Sequence, residues 1–334
     1  MIEIVPLDVI FSDKEFVDYM RKSNDLIGER QIVSLVKIRA FHQNPGLRED
    51  RQHEIRDQCL HNWKVPNDSR KAPIFEDPQI TIPKMLGPSA KSIIEAPGVP
   101  LTPDNLDLNI KSVYDWKCLP LGGKPQDCTF YLGLGRSKNY FYNRANNRWQ
   151  RVNEAKFDLP AQTLIYAEAV QECRGEAKGM RKCPSLHVID AVYVAGEDWR
   201  NYDLKTRNEM LKIFVKAMAK PSLPDHLPMR VKEIVGLEHL EDQFLSKLTC
   251  RVLKGYNGSR LTLDVAEETV QDKVMVRYFM PTGLLMFPIV KEPYMMAFSR
   301  SKQRKYWFNF MTKESVFECP IKAVMDFPTS FSKR

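Results

Sequence analysis

Eight of the chain's 22 prolines fall between Pro66 and Pro103. Proline locks φ and lacks a backbone donor, so such a stretch resists both long helices and central strands. It is expected to run as an extended, Pro-rich connector over 66–108, draped over the next domain. The chain on either side has a different hydrophobic period. Before the connector the spacing is helical. Ser12-Asp13-Lys14-Glu15 has the capping-box spacing, and Phe16, Tyr19 and Met20 then share a face. A run from about Asn24 carries Ile32, Leu35, Val36, Ile38 and Phe41 up to Pro45. A third, Arg48 to Trp63, has only the narrow stripe Ile55, Cys59 and Leu60. The spacing predicts a helical segment over 1–65.

From Val113 the period changes to two. Strands are predicted over Val113–Leu119, Cys128–Leu134, Tyr140–Tyr142 and Trp149–Val152, with turns at Gly122-Gly123 and Asn146-Asn147. Thr163–Gln171 and Leu186–Val194 read as longer strands. One helix, Leu204 to Lys220, places Met210, Leu211, Phe214, Ala217 and Met218 on a face. Arg230–Ile234, Arg260–Val265, Lys273–Phe279 and Leu284–Ile289 are further strand candidates. Strands in runs with one or two helices predict an α+β fold.

The formal charge is +8, from 50 Lys+Arg against 42 Asp+Glu. That permits phosphates, RNA or phosphopeptides as partners without selecting one. No apolar run approaches the roughly 18–20 residues of a membrane helix, so no membrane partner is expected. The start has no charged-then-apolar signal pattern, and the seven cysteines form no C-x-x-C. Cys118 and Cys128, and Cys173 and Cys183, share a ten-residue offset that fits cysteines on hairpin strands. Phosphate-loop, H-E-x-x-H and helix-opening G-x-G-x-x-G motifs are all missing, and the six histidines are scattered, so no metal site is expected.

The sharpest local signal runs from Tyr306 to Pro320: Tyr306-Trp307-Phe308-Asn309, then Thr312, Ser315, Phe317 and Pro320. It resembles the second half of a WW domain, with Tyr294 in the place of the first signature tryptophan and Phe317 in that of the second. Lys291 stands where a buckle proline is usual. Strand alternation sends Trp307 and Asn309 to one face, against Tyr294 and Pro320. Tyr306 goes to the other face, where with Phe317 it makes an aromatic slot for a polyproline-II ligand. Ser299-Arg300-Ser301 resembles the phosphate-binding loop of phospho-Ser/Thr-Pro-specific WW domains, with Lys302, Arg304 and Lys305 adding positive charge. The bland alternative is a hairpin docked permanently on its neighbour.

Three stretches together resemble one family: Gln31 to Phe41 with Arg51 to Leu60 and Trp63; Phe130 to Ser137 with Pro221 to Lys232; and the WW-like end from Glu292-Pro293-Tyr294. They are similar to the C-terminal half of the cap-specific mRNA ribose 2′-O-methyltransferase family, guanylyltransferase-like domain plus WW domain. The resemblance implies a helical segment 1–65, the connector 66–108, a guanylyltransferase-like (nucleotidyltransferase-type) antiparallel β/α domain at 109–290, a small three-stranded WW-like module at 291–322 and a tail at 323–334. It also implies an S-adenosylmethionine-binding methyltransferase domain upstream of Met1, so this chain itself is expected to hold no cofactor. Expected partners are that domain, RNA polymerase II (its phosphorylated C-terminal repeats or its body) and nascent capped RNA, in the nucleus.

Active covalent nucleotidyltransferases use Lys-x-Asp-Gly, in which a desolvated lysine attacks the α-phosphate. The corresponding stretch here is Pro120-Leu121-Gly122-Gly123; Lys117 and Lys124 flank it without the aspartate. Tyr166-Ala167-Glu168 and Val188-Ile189-Asp190 resemble the second and third motifs, and Thr282-Gly283-Leu284-Leu285 replaces a late Asp-Gly motif. A catalytically dead domain is expected, with no catalytic residue in this chain. Two other functions stay open: an RNA platform using Arg136, Lys138, Arg148, Arg174, Lys178, Arg181 and Lys182, and a cryptic nucleotidyltransferase.

Overall fold

The computed structural model describes residues 77–325 and 327, apart from 97, 99, 103–108, 124–126, 136–137, 153–156, 158, 219–226, 254–257 and 271–272. The helical segment expected over 1–65, with His53 and His61, lies outside these residues, as do Lys124, Arg136 and most of the tail.

Residues 78–94 are helical where an extended connector was expected. Helix α1 is Pro78–Leu86 and α2 is Ala90–Ile94, joined by a 3₁₀ turn at Gly87–Ser89. Pro78 sits at the first helical position, where its fixed φ helps and its missing N–H costs nothing. The Asp77 carboxylate caps the helix by accepting from the Gln79 amide at 2.8 Å. Pro83 removes one interior hydrogen bond, and tertiary burial outweighs that loss. Ile82, Leu86, Ile93 and Ile94 are all buried against the sheet residues Leu119, Leu132, Leu164 and Phe287, each contributing about 2 kcal/mol. The Arg200 guanidinium also donates to the Leu86 carbonyl at 3.3 Å and to Ser89 Oγ at 3.1 Å.

The strands follow as β1 (Trp116–Leu121), β2 (Cys128–Gly133), β3 (Asn139–Asn143), β4 (Arg148–Arg151), β5 (Thr163–Arg174), β6 (Arg181–Val194) and β7 (Glu197–Asp198). After helix α3 (Leu204–Met218) come β8 (Met229–Val231), β9 (Val235–Gly236), β10 (Leu248–Val252), β11 (Ser259–Val270), β12 (Lys273–Phe279) and β13 (Gly283–Pro288). The strand expected from Val113 begins three residues later. Ser112 Oγ instead accepts from the Tyr114 amide and winds residues 113–115 into a 3₁₀ turn.

A ten-stranded sheet runs β10-β11-β12-β5-β2-β3-β4, with β6 also pairing β5, β7 and β8; a second sheet is β13-β1-β9. Among the described residues, the pairings between these named strands are antiparallel except β6 with β8. The long β5–β6 ladder is the spine. On one face of it, Leu211, Phe214, Val215 and Met218 of α3 pack on Ile165, Ala167, Leu186 and Val188. On the other, Leu164, Tyr166 and Ile189 meet the α1–α2 segment and β1. The fold is α+β and mostly antiparallel. Cys118 and Cys128 do not share a hairpin: Cys118 pairs within the smaller sheet and Cys128 opposite Glu168 in the larger. Cys173 and Cys183 do lie on adjacent strands, β5 and β6. No helix among the described residues is long and apolar enough to cross a membrane.

A separate three-stranded antiparallel sheet closes the described chain: β14 (Tyr294–Ser299), β15 (Arg304–Asn309) and β16 (Ser315–Val316).

Candidate functional site

The register of the small sheet sorts its side chains. Tyr294 lies opposite Asn309, Met296 opposite Trp307 and Phe298 opposite Lys305, so these six share one face. Ala297 lies opposite Tyr306 and Ser299 opposite Arg304, on the other face. The β15–β16 pairing puts Val316 with Trp307 and Ser315 with Phe308, which leaves Phe317 on the Tyr306 side. Alternation predicted this division, and the two sets of residues have different surroundings.

The Trp307 face turns to the main body. Met296 is buried, and Phe298 stacks on Tyr114 with ring centroids 6.3 Å apart. Lys305 forms an ion pair with Glu238 and lies 5.3 Å from the centre of the Tyr114 ring. Glu238 reaches Lys305 by folding back over Gly236, where a Cβ would collide with the carboxylate. At the sheet edge Asp115 accepts from the Met296 amide at 2.6 Å, and Ser112 Oγ donates to the Met296 carbonyl at 2.5 Å. Asn309, also buried, organises the β15–β16 loop, its side-chain oxygen accepting from the amides of Met311 and Thr312. Pro320 is half-buried beyond β16.

The Tyr306 face is half-exposed. Tyr306 and Phe317 form a tilted pair with centroids 5.9 Å apart. Arg304 lies over the Phe317 ring at 4.2 Å, and Lys313 lies 6.0 Å from the centre of the Phe308 ring. At the β14–β15 turn, Ser299 Oγ and Ser301 Oγ are 3.3 Å apart, and the Lys302 amide donates to Ser299 Oγ at 3.3 Å. The Arg300 carbonyl accepts from the Gln303 side chain at 2.6 Å, while the Arg300 side chain is exposed. The aromatic pair, Ser299 and Arg304 therefore share one sheet face, with Ser301 and the exposed Arg300 in the adjoining turn. That set can stack on a proline ring and hold an anion.

Several of the positions read as resembling nucleotidyl-transfer motifs lie around the end of β1. β13 pairs with β1, placing Gly283 opposite Leu121. Thr282 donates from its amide to the Leu121 carbonyl at 2.8 Å and from its hydroxyl to the Gly123 carbonyl. Glu168 points at the same turn and accepts from the amides of Gly122, at 2.9 Å, and Gly123. Its other oxygen pairs with Lys232 Nζ at 2.8 Å, and both side chains are buried, Lys232 with 3% exposure and Glu168 with 0%. Lys232 also donates to the Pro120 carbonyl at 2.8 Å and lies 4.5 Å from the centre of the Phe279 ring. Burial pushes the Lys232 ammonium below its ordinary pKa, against the attraction of Glu168. There is no room beside the turn: a Cβ on Gly122 would meet Phe279 at 2.7 Å.

Asp190 is engaged as well, in a two-point pair with Arg207 at 2.9 and 2.8 Å. Lys117 sits further back on β1, its pKa lowered by burial with Glu238 and Lys305 as charged neighbours. Lys232 and Arg207 were missed as individual residues. Their signal was indirect: Glu168, Glu172 and Asp190 sit in very apolar strands, and buried acids require partners.

Of the basic residues named for RNA, Arg174, Lys178, Arg181 and Lys182 lie together around the β5–β6 turn, and Arg136 lies outside the described residues. Arg174 lies opposite Arg181, and Cys173 opposite Lys182, near the β5–β6 turn. Arg148 is on edge strand β4, in the row of Ala167 and about 20 Å away along the strand direction.

Over 332 residues, 99% of this chain and 38% of the relative, the sequence is 39% identical to the cap-specific mRNA (nucleoside-2′-O-)-methyltransferase 1 of Xenopus laevis. Proteins of the same name from Bos taurus and Homo sapiens are 37% and 36% identical over 97% of the chain. No family model matches. The chain is thus related along nearly its whole length to part of those proteins, and spans less than two fifths of theirs.

Proposed function

We propose that this chain is the non-catalytic interaction region of a nuclear mRNA cap1 2′-O-ribose methyltransferase. Its task is to recruit the enzyme to transcribing RNA polymerase II by binding phosphorylated Ser-Pro repeats. S-adenosylmethionine chemistry belongs to a separate domain of the longer protein, and the capped transcript is that domain's substrate. The observation that carries the reading is the two-faced small sheet. Its Trp307 face is committed to the body through Asp115, Tyr114 and Glu238. Its Tyr306–Phe317 face, beside Ser299 and Arg300, remains available to a ligand.

The nucleotidyltransferase-like centre is read as a structural relic. A covalent mechanism needs a nucleophilic lysine that reaches the α-phosphate and carboxylates free to hold metal or ribose. Here Lys232, Glu168, Asp190 and Arg207 satisfy one another in the interior. The testing experiment is a titration of the whole chain with a doubly phosphorylated Ser-Pro heptapeptide, its unphosphorylated form and a capped RNA as competitor. Saturable binding that needs phosphate and survives RNA supports the reading; equal binding of both peptides, or displacement by RNA, overturns it.

A further inference from the structure

We infer that Arg304 is the specificity gate of the aromatic slot: its guanidinium covers Phe317 until a phosphate draws it away. The inference rests on the phosphopeptide reading above and deepens it. Arg304 is exposed and sits on the slot face, opposite Ser299 and two residues before Tyr306. Its guanidinium carbon lies 4.2 Å from the centre of the Phe317 ring, well inside the range of a cation–π contact. A proline seated on the ring face that Arg304 covers has to displace that guanidinium.

The two demands differ in strength. An exposed cation–π contact is weak, whereas a guanidinium–phosphate bond is charge-assisted and stronger. An unphosphorylated Ser-Pro segment must displace Arg304 with nothing to receive it. A phosphorylated one supplies the receiver. A polyproline-II peptide rises about 3.1 Å per residue, and two strand residues span about 7 Å. The residue before the slotted proline therefore sits about 3 Å toward the row of Ser299 and Arg304, and its phosphorylated side chain has to span the remainder. Ser299 Oγ already accepts from the Lys302 amide, which leaves its hydroxyl hydrogen for Ser301 or an incoming oxygen. Arg300, at the turn, adds charge but lies outside that row.

The gate penalises the plain peptide and rewards the phosphorylated one, so removing it acts on both. Arg304→Ala should bind the plain peptide about two- to threefold more tightly and the phosphorylated peptide about tenfold more weakly. Arg304→Lys, which keeps the charge but not the planar stacking group, should lie between them for both ligands. Affinities of both peptides are measured for the whole chain, these two variants and Tyr306→Ala, with a thermal melt of each.

Collapse of the phosphorylated-to-plain ratio in Arg304→Ala, with plain binding improved, is the expected result. An unchanged ratio in Arg304→Ala, while Tyr306→Ala abolishes binding, overturns the gate and leaves the slot standing. Tyr306→Ala binding like the original chain overturns both. Loss of both peptides in Arg304→Ala with an unchanged melt also overturns the gate, because uncovering Phe317 must not weaken the plain ligand.

Discussion

The Asp115 carboxylate accepts a 2.6 Å hydrogen bond from the backbone amide of Met296, tying the edge of the small sheet to the turn before β1. With Ser112 Oγ on the Met296 carbonyl, two body side chains complete both backbone groups of one edge residue. An exposed strand edge is open to non-specific pairing, and this arrangement closes it at its centre. The contact also fixes which face of the sheet looks outward.

Burial pushes the Asp115 carboxyl up to about 6 from an ordinary 3.8, partly offset by the Met296 hydrogen bond and by Lys111. A carboxyl with a raised pKa disfavours its ionised form in the docked state. Docking is therefore strongest where Asp115 is protonated, weakens as pH rises from about 3.8 and levels off above about 6. Hydrogen exchange of the β14 amides should accelerate between about pH 4 and pH 6 beyond the intrinsic increase. Asp115→Asn should remove that excess. A β14 exchange profile identical in the two chains would sink the assignment.

Glu172 works in the opposite direction. Burial alone would raise it, but hydrogen bonds from His187 and Arg230 outweigh that and hold it at about 2. His187 is itself lowered by burial, and the permanently cationic partners of Glu172 are Arg230 and Arg277. A depressed carboxyl stabilises above its unfolded pKa, and that contribution disappears as pH falls from about 4.5 toward about 2. Glu172→Gln should flatten the acid limb of a urea-stability profile below pH 4.5. An acid limb equally steep in the variant would refute this.

The buried Lys232–Glu168 pair is predicted to be costly to break from one side. Lys232→Met leaves a carboxylate in the interior and should lose about 3–5 kcal/mol in urea unfolding. Adding Glu168→Gln should recover much of the loss, because no unpaired charge then remains. Equal losses in the single and double variants would show that packing, not charge, sets the effect.

A nucleotidyl-transfer test addresses the same centre. Incubation with GTP and Mg²⁺ or Mn²⁺ should give no acid-labile lysine adduct by intact mass. The resemblance puts Pro120 at the nucleophile's place, and Lys232 points into the interior. A guanylated Lys117, Lys124 or Lys232 would overturn the relic reading.

The strands were legible because alternation survives wherever one face is drier than the other. The β5–β6 spine, helix α3 and the opposed faces around Trp307 could all be read in this way. The α1–α2 segment could not. Its prolines act as local breakers, and only Ile82, Leu86, Ile93 and Ile94 meeting the sheet make the helices worthwhile. The short parallel strand β8 was half legible: its residues alternate, but nothing local says that Arg230 lies opposite His187. The partners of Glu168 and Asp190 were hidden for the same reason, lying 64 and 17 residues away in sequence. Within the slot, alternation placed Tyr306 and Phe317 together, but the side-chain position of Arg304 over Phe317 required the fold.

The last prediction separates the parts of the small sheet. Arg300→Ala should reduce the preference for phosphorylated over plain Ser-Pro peptide by less than Arg304→Ala does, because its charge acts from the turn, outside the row of Ser299 and Arg304. Tyr306→Ala should weaken both peptides alike, because the ring it removes serves the proline and not the phosphate. Trp307→Ala should act elsewhere. That residue lies opposite Met296 on the face turned to the body, so its loss should unfold or release the sheet before any ligand is added. Limited proteolysis after Lys291 would report that release, while Tyr306→Ala should cleave no faster than the original chain. A Trp307→Ala chain as resistant as the original, yet unable to bind peptide, would mean that Trp307 belongs to the slot and that the two faces are wrongly assigned.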